Sequence, residues 1–293
     1  MITRDYFSVA KPYKDFTTWF KFDAKTGAMS SYSKTGGADI HFPITSEEAN
    51  MSEVLEAILS EEDQDILHDF QAFNKRPESK LYKVVTEFDN PEQMIDYYEQ
   101  LLAASTMVIA EESGQDPDTT VDGIMKCLEW IRTTDFYTCP ASTQYHDSFH
   151  SGLLLHTLKV VSKCRELLKA DTFGLNVSLA KAVRACLMHD WCKIGLYESF
   201  TKNMKDESKD SWESVTAYKY KYNRSVCLGH GAASMFLASK FFKISYEEAL
   251  AIRWHMGEYN VASSEISEFS QACRQYPLVY LLQFADRISC VDY

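Results

Sequence analysis

Apolar residues recur at three-to-four spacing through most of the last two thirds of the chain, a rhythm that predicts a succession of amphipathic helices. Pro91 opens the first, Glu92 to Ala110. A loop follows at Gly114 to Asp118, and Thr120 to Thr134 then sets Val121, Ile124, Met125, Leu128 and Ile131 on one face. Ser151 to Ala170, Val177 to Asp190, His230 to Phe242, Tyr246 to Met256 and Pro277 to Val291 repeat the pattern between polar loops. The longest polar insertion, Thr201 to Arg224, is rich in Lys, Asp and Ser and is interleaved with Trp212, Tyr218, Tyr220 and Tyr222. It reads as a loop reaching over a pocket.

The opening residues follow a different rhythm. Thr17 to Phe22 has strand-like aromatic content, Asp23 to Gly27 reads as a turn, and Met29 to Tyr32 as the returning strand of a small hairpin. Beyond Gly36-Gly37 and Pro43, Thr45-Ser46-Glu47-Glu48 resembles a capped helix start. Val54, Leu55, Ile58, Leu59, Ile66, Leu67 and Phe70 then follow at helical spacing. The expected fold is therefore mainly α: a helical bundle over 91–293, preceded by a smaller, acidic, mixed α+β segment over 1–90.

Charge separates the same two regions. The chain has a formal net charge of −12, but residues 1–140 hold 12 Lys and Arg against 26 Asp and Glu, while 141–293 hold 18 against 16. An acidic front repels polyphosphates at long range and favours a small substrate over a long nucleic acid, while leaving room for a local basic channel further on. The eight cysteines are scattered without a Cys-x-x-Cys pair and mostly fall in apolar helical surroundings, so they read as reduced, buried thiols of a cytoplasmic protein. The longest apolar candidate for a membrane span, Leu101 to Ala110, is short and broken by Ser105 and Thr106. The first residues lack a basic-then-apolar leader, so neither export nor a membrane partner is expected.

The candidate chemistry is concentrated late in the chain. His41 and His68 lie in the front, without a motif around them; His146, His150, His156, His189, His230 and His255 lie in the second half. His156 interrupts Gly152-Leu153-Leu154-Leu155-His156-Thr157-Leu158, where a lone imidazole would by itself read as a hydrogen-bonded core histidine. Leu187-Met188-His189-Asp190-Trp191-Cys192-Lys193 changes that reading by setting an imidazole beside a carboxylate at the end of an apolar helix. Gly229-His230-Gly231, Trp254-His255-Met256 and Ala285-Asp286-Arg287 each add one ligand-type side chain in small or apolar surroundings. Burying an isolated Asp286 costs several kcal/mol, and a shared cation removes that cost for the whole set.

In this order and context, His156, then His189-Asp190, then the distant Asp286 resemble the HD superfamily of metal-dependent phosphohydrolases. His230 and His255 match the subset that builds a second metal position, as in the HD-GYP cyclic-dinucleotide phosphodiesterases. The resemblance covers roughly 91–293. Pro140-Ala141-Ser142, followed by Tyr145-His146-Asp147-Ser148-Phe149-His150-Ser151-Gly152-Leu153-Leu154-Leu155-His156-Thr157-Leu158, is similar to the YhaM-type 3'-to-5' exoribonuclease subgroup, in which a His-His pair precedes Gly-Gly-Leu-Leu-x-His-Thr. This chain keeps His146, carries Asp147 and Ser151 at the second His and first Gly, and has no recognisable oligonucleotide-binding barrel in front. The stretch from Leu228 to Gly257 resembles uncharacterised HD hydrolases common in phages and their Gram-positive hosts, which would place a phage-encoded protein in the host cytoplasm.

The resemblance implies one or two divalent transition metals, Mn, Fe, Co, Ni or Zn. His156, His189, Asp190 and Asp286 would hold the first, and Asp190 would bridge to a second at His230 and His255. A metal-activated water would attack a phosphoester of a nucleotide or short oligonucleotide. Asp190, Lys193 and His146 are the catalytic candidates, and Lys193, Arg253 and Arg287 the substrate-phosphate candidates. Lys219, Lys221 and Arg224, with their neighbouring aromatics, offer phosphate and base-stacking contacts, or simply form a solvated amphipathic loop. His150 is read as ordinary. Three alternatives stay open: a 3'-to-5' exonuclease on single-stranded RNA or DNA, an HD-type di-iron oxygenase with a similar ligand set, and a non-catalytic nucleotide-binding regulator.

Overall fold

A computed structural model describes residues 6–13, 16–23, 29–35, 38–43, 80–81, 85, 87–170, 176–206, 211–222 and 228–291. Its contacts divide into two compact units, Met1–Val85 and Thr86–Tyr293. In the first, strands β1 (Tyr6–Tyr13), β2 (Phe16–Asp23), β3 (Met29–Thr35) and β4 (Ala38–Pro43) form an antiparallel meander in the order β1-β2-β3-β4. The expected hairpin is its centre, with Phe22 opposite Met29 and Thr18 opposite Ser33. The outer strands were not anticipated: β1 contains Lys11 and Pro12, and β4 is short and lies directly after Gly36-Gly37, so neither announces itself by apolar alternation. The helix expected from Thr45 to Phe70 lies outside the described residues.

The second unit carries eight α-helices among its described residues. They are α1 (Pro91–Glu112), α2 (Pro117–Arg132), α3 (Gly152–Ala170), α4 (Leu179–Met188), α5 (His230–Ala238), α6 (Tyr246–Trp254), α7 (Ile266–Gln275) and α8 (Pro277–Ser289). None of the described helices is long and apolar enough to cross a membrane. Starts follow local chemistry. Asn90 accepts from the Gln93 amide ahead of Pro91, Asp116 accepts from the Thr119 amide ahead of Pro117, and Ser245 forms a reciprocal capping box with Glu248.

Helix α4 is the axis of the bundle. Ala180 and every residue from Ala182 to Met188 are buried, so the helix has no solvent face, as a central helix requires. It packs against α1, α3, α6 and α8, and α8 in turn packs on α3 and α6. Helix α5 approaches α6 so closely that a Cβ on Gly231 would sit 2.2 Å from the Arg253 carbonyl oxygen, which requires glycine beside His230. Helix α7 was missed: it buries only Phe269, Ala272 and Cys273 of its ten residues, a narrow stripe in a polar sequence.

The insertion expected as a loop is instead an antiparallel ribbon, β5 (Tyr197–Asp206) paired with β6 (Ser211–Tyr220), with Tyr197 opposite Tyr220 and Asp206 opposite Ser211. Its β-branched and aromatic residues, Phe200, Thr201, Val215, Thr216 and Tyr218, outweigh the Lys, Asp and Ser content that suggested a loop. Arg224 lies outside the described residues.

The turn that feeds α3 carries local strain. Ser151 adopts φ 64° and Asp147 φ 47°. A Cβ on Gly152 would fall 1.9 Å from the Asp147 carbonyl oxygen, which already accepts from the Ala141 amide at 3.1 Å. The Ser151 hydroxyl is also buried without a hydrogen-bond partner. Ser151→Gly should relieve both the left-handed conformation and the unpaired hydroxyl, at some cost in unfolded-chain entropy, for a net gain of about 1 kcal/mol. Urea unfolding with an unchanged m-value checks this, and a loss of stability would reject the account of strain.

Candidate metal centre

Six side chains from five separate segments meet at the end of α4. His189 is the last residue in helical conformation there; the chain turns at Asp190 (φ −111°, ψ 18°) into a single 3-10 turn, Trp191–Lys193. Side-chain anchors fix this corner: the Trp191 indole donates to the Tyr98 hydroxyl at 3.0 Å, Tyr98 donates to the Leu187 carbonyl at 3.1 Å, and the Cys192 amide donates to Ser234 Oγ at 3.0 Å. No motif in the sequence marked Tyr98 or Ser234, because their partners lie far along the chain and only the fold brings them together.

Around Asp190 the donors fall into two sets. Asp190 Oδ2 lies 3.3 Å from His189 Nε2 and 3.7 Å from His156 Nε2. Asp286 Oδ1 lies 3.1 Å from His156 Nε2 and 3.7 Å from His189 Nε2. Asp190 Oδ1 points the other way, 3.2 Å from His230 Nε2 and 3.5 Å from His255 Nε2. Ligands bound side by side at about 2.1 Å from one metal stand about 3.0–3.4 Å apart, so half of these separations already suit shared coordination and the rest exceed it by a few tenths of an ångström. His156, His189, Asp190 and His255 are almost fully buried, and His156 Nε2, His189 Nε2, His255 Nε2 and Asp190 Oδ1 make no hydrogen bond. Four orphaned polar atoms in one buried spot would be costly unless a cation were there to satisfy them. These buried His and Asp groups are placed to hold a metal ion.

The orientation of the rings is itself determined. His189 Nδ1 meets the Cys186 carbonyl at 2.6 Å and His255 Nδ1 meets the Ile252 carbonyl at 2.8 Å, each three residues back at a helix C-terminus. With the proton on Nδ1, the Nε2 lone pair faces the centre, as ligation requires. Helix-end position thus does for His189 and His255 what a second side chain would otherwise do.

Electrostatics follow from burial against opposing charge. Burial holds His156 below the usual imidazole range and, together with His156, pushes His146 down to about 4. Burial also acts against charge on His189 and His230, but Asp190 outweighs it, raising His189 and bringing His230 up to about 10. Asp190 and Asp286 stay well below the carboxylate range despite burial, Asp190 through Lys193 and His189, and Asp286 through His156 and His189.

Of the remaining candidates, Lys193 is buried with Nζ 2.7 Å from Asp190 Oδ2 and lines the cavity above the six residues. His146 lines the same cavity, its ring 4.6 Å from that of His156. Arg287 lines it too, stacked 4.6 Å from the Tyr259 ring and donating to its hydroxyl at 2.8 Å. Arg253 does not: it is paired with Glu265 at 2.8 Å and lies over the Trp254 ring at 4.1 Å, away from the cavity lining. Of the three substrate-phosphate candidates, Arg253 is thus the one the structure leaves outside the cavity lining, its guanidinium held by those two neighbours. Lys219 is likewise paired with Glu198 at 3.1 Å.

The cavity itself has a volume of about 380 Å³ and is walled by Tyr197, Tyr220, Tyr259 and Met256 beside the His and Asp residues. Gln283, two turns before Cys290 on α8, also lines it with a buried amide oxygen that has no partner. Neither Gln283 nor Tyr259 belongs to a motif, and only their spacing from Asp286 and Arg287 on one helix face could have drawn attention to Gln283. Cys290 sits beside His146 and His156, but burial pushes its thiol up to about 12, and it donates to the Asp286 carbonyl at 3.3 Å. Compared with family models, with curated proteins and with solved structures, the chain finds no match.

Proposed function

We propose that this chain is a metal-dependent phosphohydrolase of the HD type, acting on a nucleotide or a short oligonucleotide. The observation that carries the reading is the division of Asp190, one carboxylate oxygen facing His156 and His189 and the other facing His230 and His255. His156, His189, Asp190 and Asp286 would hold one divalent cation, and Asp190, His230 and His255 a second. Such a metal would supply a water of lowered pKa and neutralise charge on phosphoryl oxygens. Imidazole and carboxylate donors favour Mn, Fe, Co, Ni or Zn.

The chain's own residues supply the rest. Lys193 and Arg287 bring two cations to the cavity wall for phosphate oxygens, and Asp190 orients the lysine. His146, neutral at pH 7, keeps Nε2 without a partner and is available to accept or deliver a proton. Tyr197, Tyr220 and Tyr259 offer ring faces to a base, and the Gln283 amide oxygen can accept from a base or sugar donor. A cavity of about 380 Å³ is at the small end for ligand sites, which supports a mononucleotide-sized occupant.

One observation favours the exonuclease reading as a second possibility. The ribbon face that begins with Tyr197 and Tyr220 in the cavity carries Tyr218 opposite Ser199 next and, beyond Thr216 and Ser214, Trp212 opposite Lys205, ring faces on which bases of a single strand could stack.

Chelator-stripped protein resupplied with Mn²⁺, Zn²⁺ or Fe²⁺, and screened against mononucleotides, cyclic dinucleotides and short RNA and DNA strands, tests both. Metal-dependent release of phosphate or mononucleotide that disappears in His189→Ala is the expected result, and shortening of the strands would select the second reading. Release that persists in His189→Ala, or no release from any substrate with any metal, would overturn the proposal. Oxygen uptake by an iron-loaded preparation would instead favour oxygenase chemistry.

A further inference from the structure

The three fully buried histidines of the centre are not held alike. His189 and His255 stand at helix ends and anchor Nδ1 on the carbonyl three residues back. His156 lies inside α3, where backbone carbonyls are taken by the helix ladder, and its Nδ1 has no hydrogen-bond partner. The carboxylate facing that nitrogen is Asp147, with Oδ2 at 3.9 Å, and Oδ2 too is buried without a partner. The other oxygen, Oδ1, is tied to Lys159 Nζ at 2.7 Å, one turn beyond His156 on the same helix.

We propose that Asp147 is the positioning residue for His156: its Oδ2 accepts a hydrogen bond from Nδ1–H, which keeps the proton on Nδ1, turns the Nε2 lone pair toward Asp190 and Asp286 and raises its strength as a metal donor. Two orphaned atoms 3.9 Å apart, one a ring N–H donor and one an anionic acceptor, need to close by only about 1 Å to make a charge-assisted bond. The turn is built to keep the carboxylate there. Asp147 holds φ 47°, its carbonyl accepts from Ala141, and Gly152 gives that carbonyl the room a side chain would fill. Lys159 sets a counter-charge against the carboxylate's other oxygen. This inference rests on the metal reading above and adds to it a residue outside the six ligands.

Zinc titration calorimetry on wild type, Asp147→Asn and Asp147→Glu, together with ring-nitrogen NMR of His156 in the zinc-loaded proteins, tests it. Asparagine tolerates a left-handed backbone and keeps the size of the side chain, so the fold should persist. Asp147→Asn should weaken zinc binding by about 10- to 100-fold and change the His156 Nδ1–H resonance while leaving that of His189 in place, with Asp147→Glu recovering part of the affinity. Wild-type affinity and an unshifted His156 signal in Asp147→Asn would overturn the role of Asp147 alone. Absence of zinc binding by the wild-type protein would overturn the metal reading and this inference with it. Should Asp147→Asn fail to fold, Lys159→Met, which leaves the carboxylate but removes its counter-charge, gives the same comparison: weakened zinc binding with an altered His156 signal supports the role, and unchanged values overturn it.

Discussion

On the proposed reading a divalent metal should raise the melting temperature of the wild-type protein, and Asp190→Asn should abolish that rise together with any metal-dependent turnover. Asp190 touches both sets of donors, 3.3 Å from His189, 3.2 Å from His230 and 2.7 Å from Lys193, so no other single side chain serves so much of the centre. A metal present at about 100 times its dissociation constant adds about 2.7 kcal/mol to stability, which for a unit of this size corresponds to a rise of roughly 5–10 °C in Tm. The amide is neutral, cannot offer an anionic oxygen to each set, and leaves the Lys193 ammonium buried without its counter-ion. Turnover should fall by more than about 100-fold, since loss of outer partners alone reaches that figure at metal sites. Calorimetric melts in chelator and in added Mn²⁺ separate the two effects. The mutant should melt lower in chelator because of Lys193, and the metal increment should vanish. A full metal increment in Asp190→Asn would refute the bridging role.

Glu248→Ala should cost about 3–5 kcal/mol of stability without touching the metal centre. Arg184 on α4 and Glu248 on α6 are both almost completely buried and form a two-pronged pair at 2.8 and 2.9 Å. Glu248 also accepts from the Ser245 amide and hydroxyl, closing the capping box of α6. Removing it strands a guanidinium in the interior and uncaps the helix that delivers His255. Replacing the pair together, Arg184→Met with Glu248→Leu, should restore most of the loss, because the penalty comes from the unpaired charge more than from the absence of the bridge. Guanidinium unfolding curves of the two variants decide the point: a double variant no more stable than Glu248→Ala would mean that the bridge itself, and not the stranded arginine, stabilises the packing of α4 on α6.

Arg184 and Glu248 were not visible as a pair in the sequence. The six candidate ligands each stood out locally, as an imidazole or carboxylate in apolar surroundings, and their grouping followed from the cost of burying them separately. Arg184 and Glu248 stood in ordinary amphipathic patterns, where charges normally face water, and nothing in their spacing of 64 residues announced a contact. Gln283 and Tyr259 were silent for the same reason. For Arg253 the sequence showed a cation beside a candidate histidine, but not that Glu265 and Trp254 hold it.

By itself the sequence determined that most of 91–293 is helical, roughly where seven of the eight described helices lie, and which lone imidazoles and carboxylates stand in apolar surroundings. Apolar periodicity, capping residues and the price of isolated burial are all local properties. Tertiary structure decided what depends on distant partners: the pairing of the ribbon at 197–220, the placement of α7, the orientation of each histidine ring, and the approach of Asp147 to His156. These arise where α4 meets the helices around it, and contacts between chain segments far apart leave no periodic trace in either segment alone.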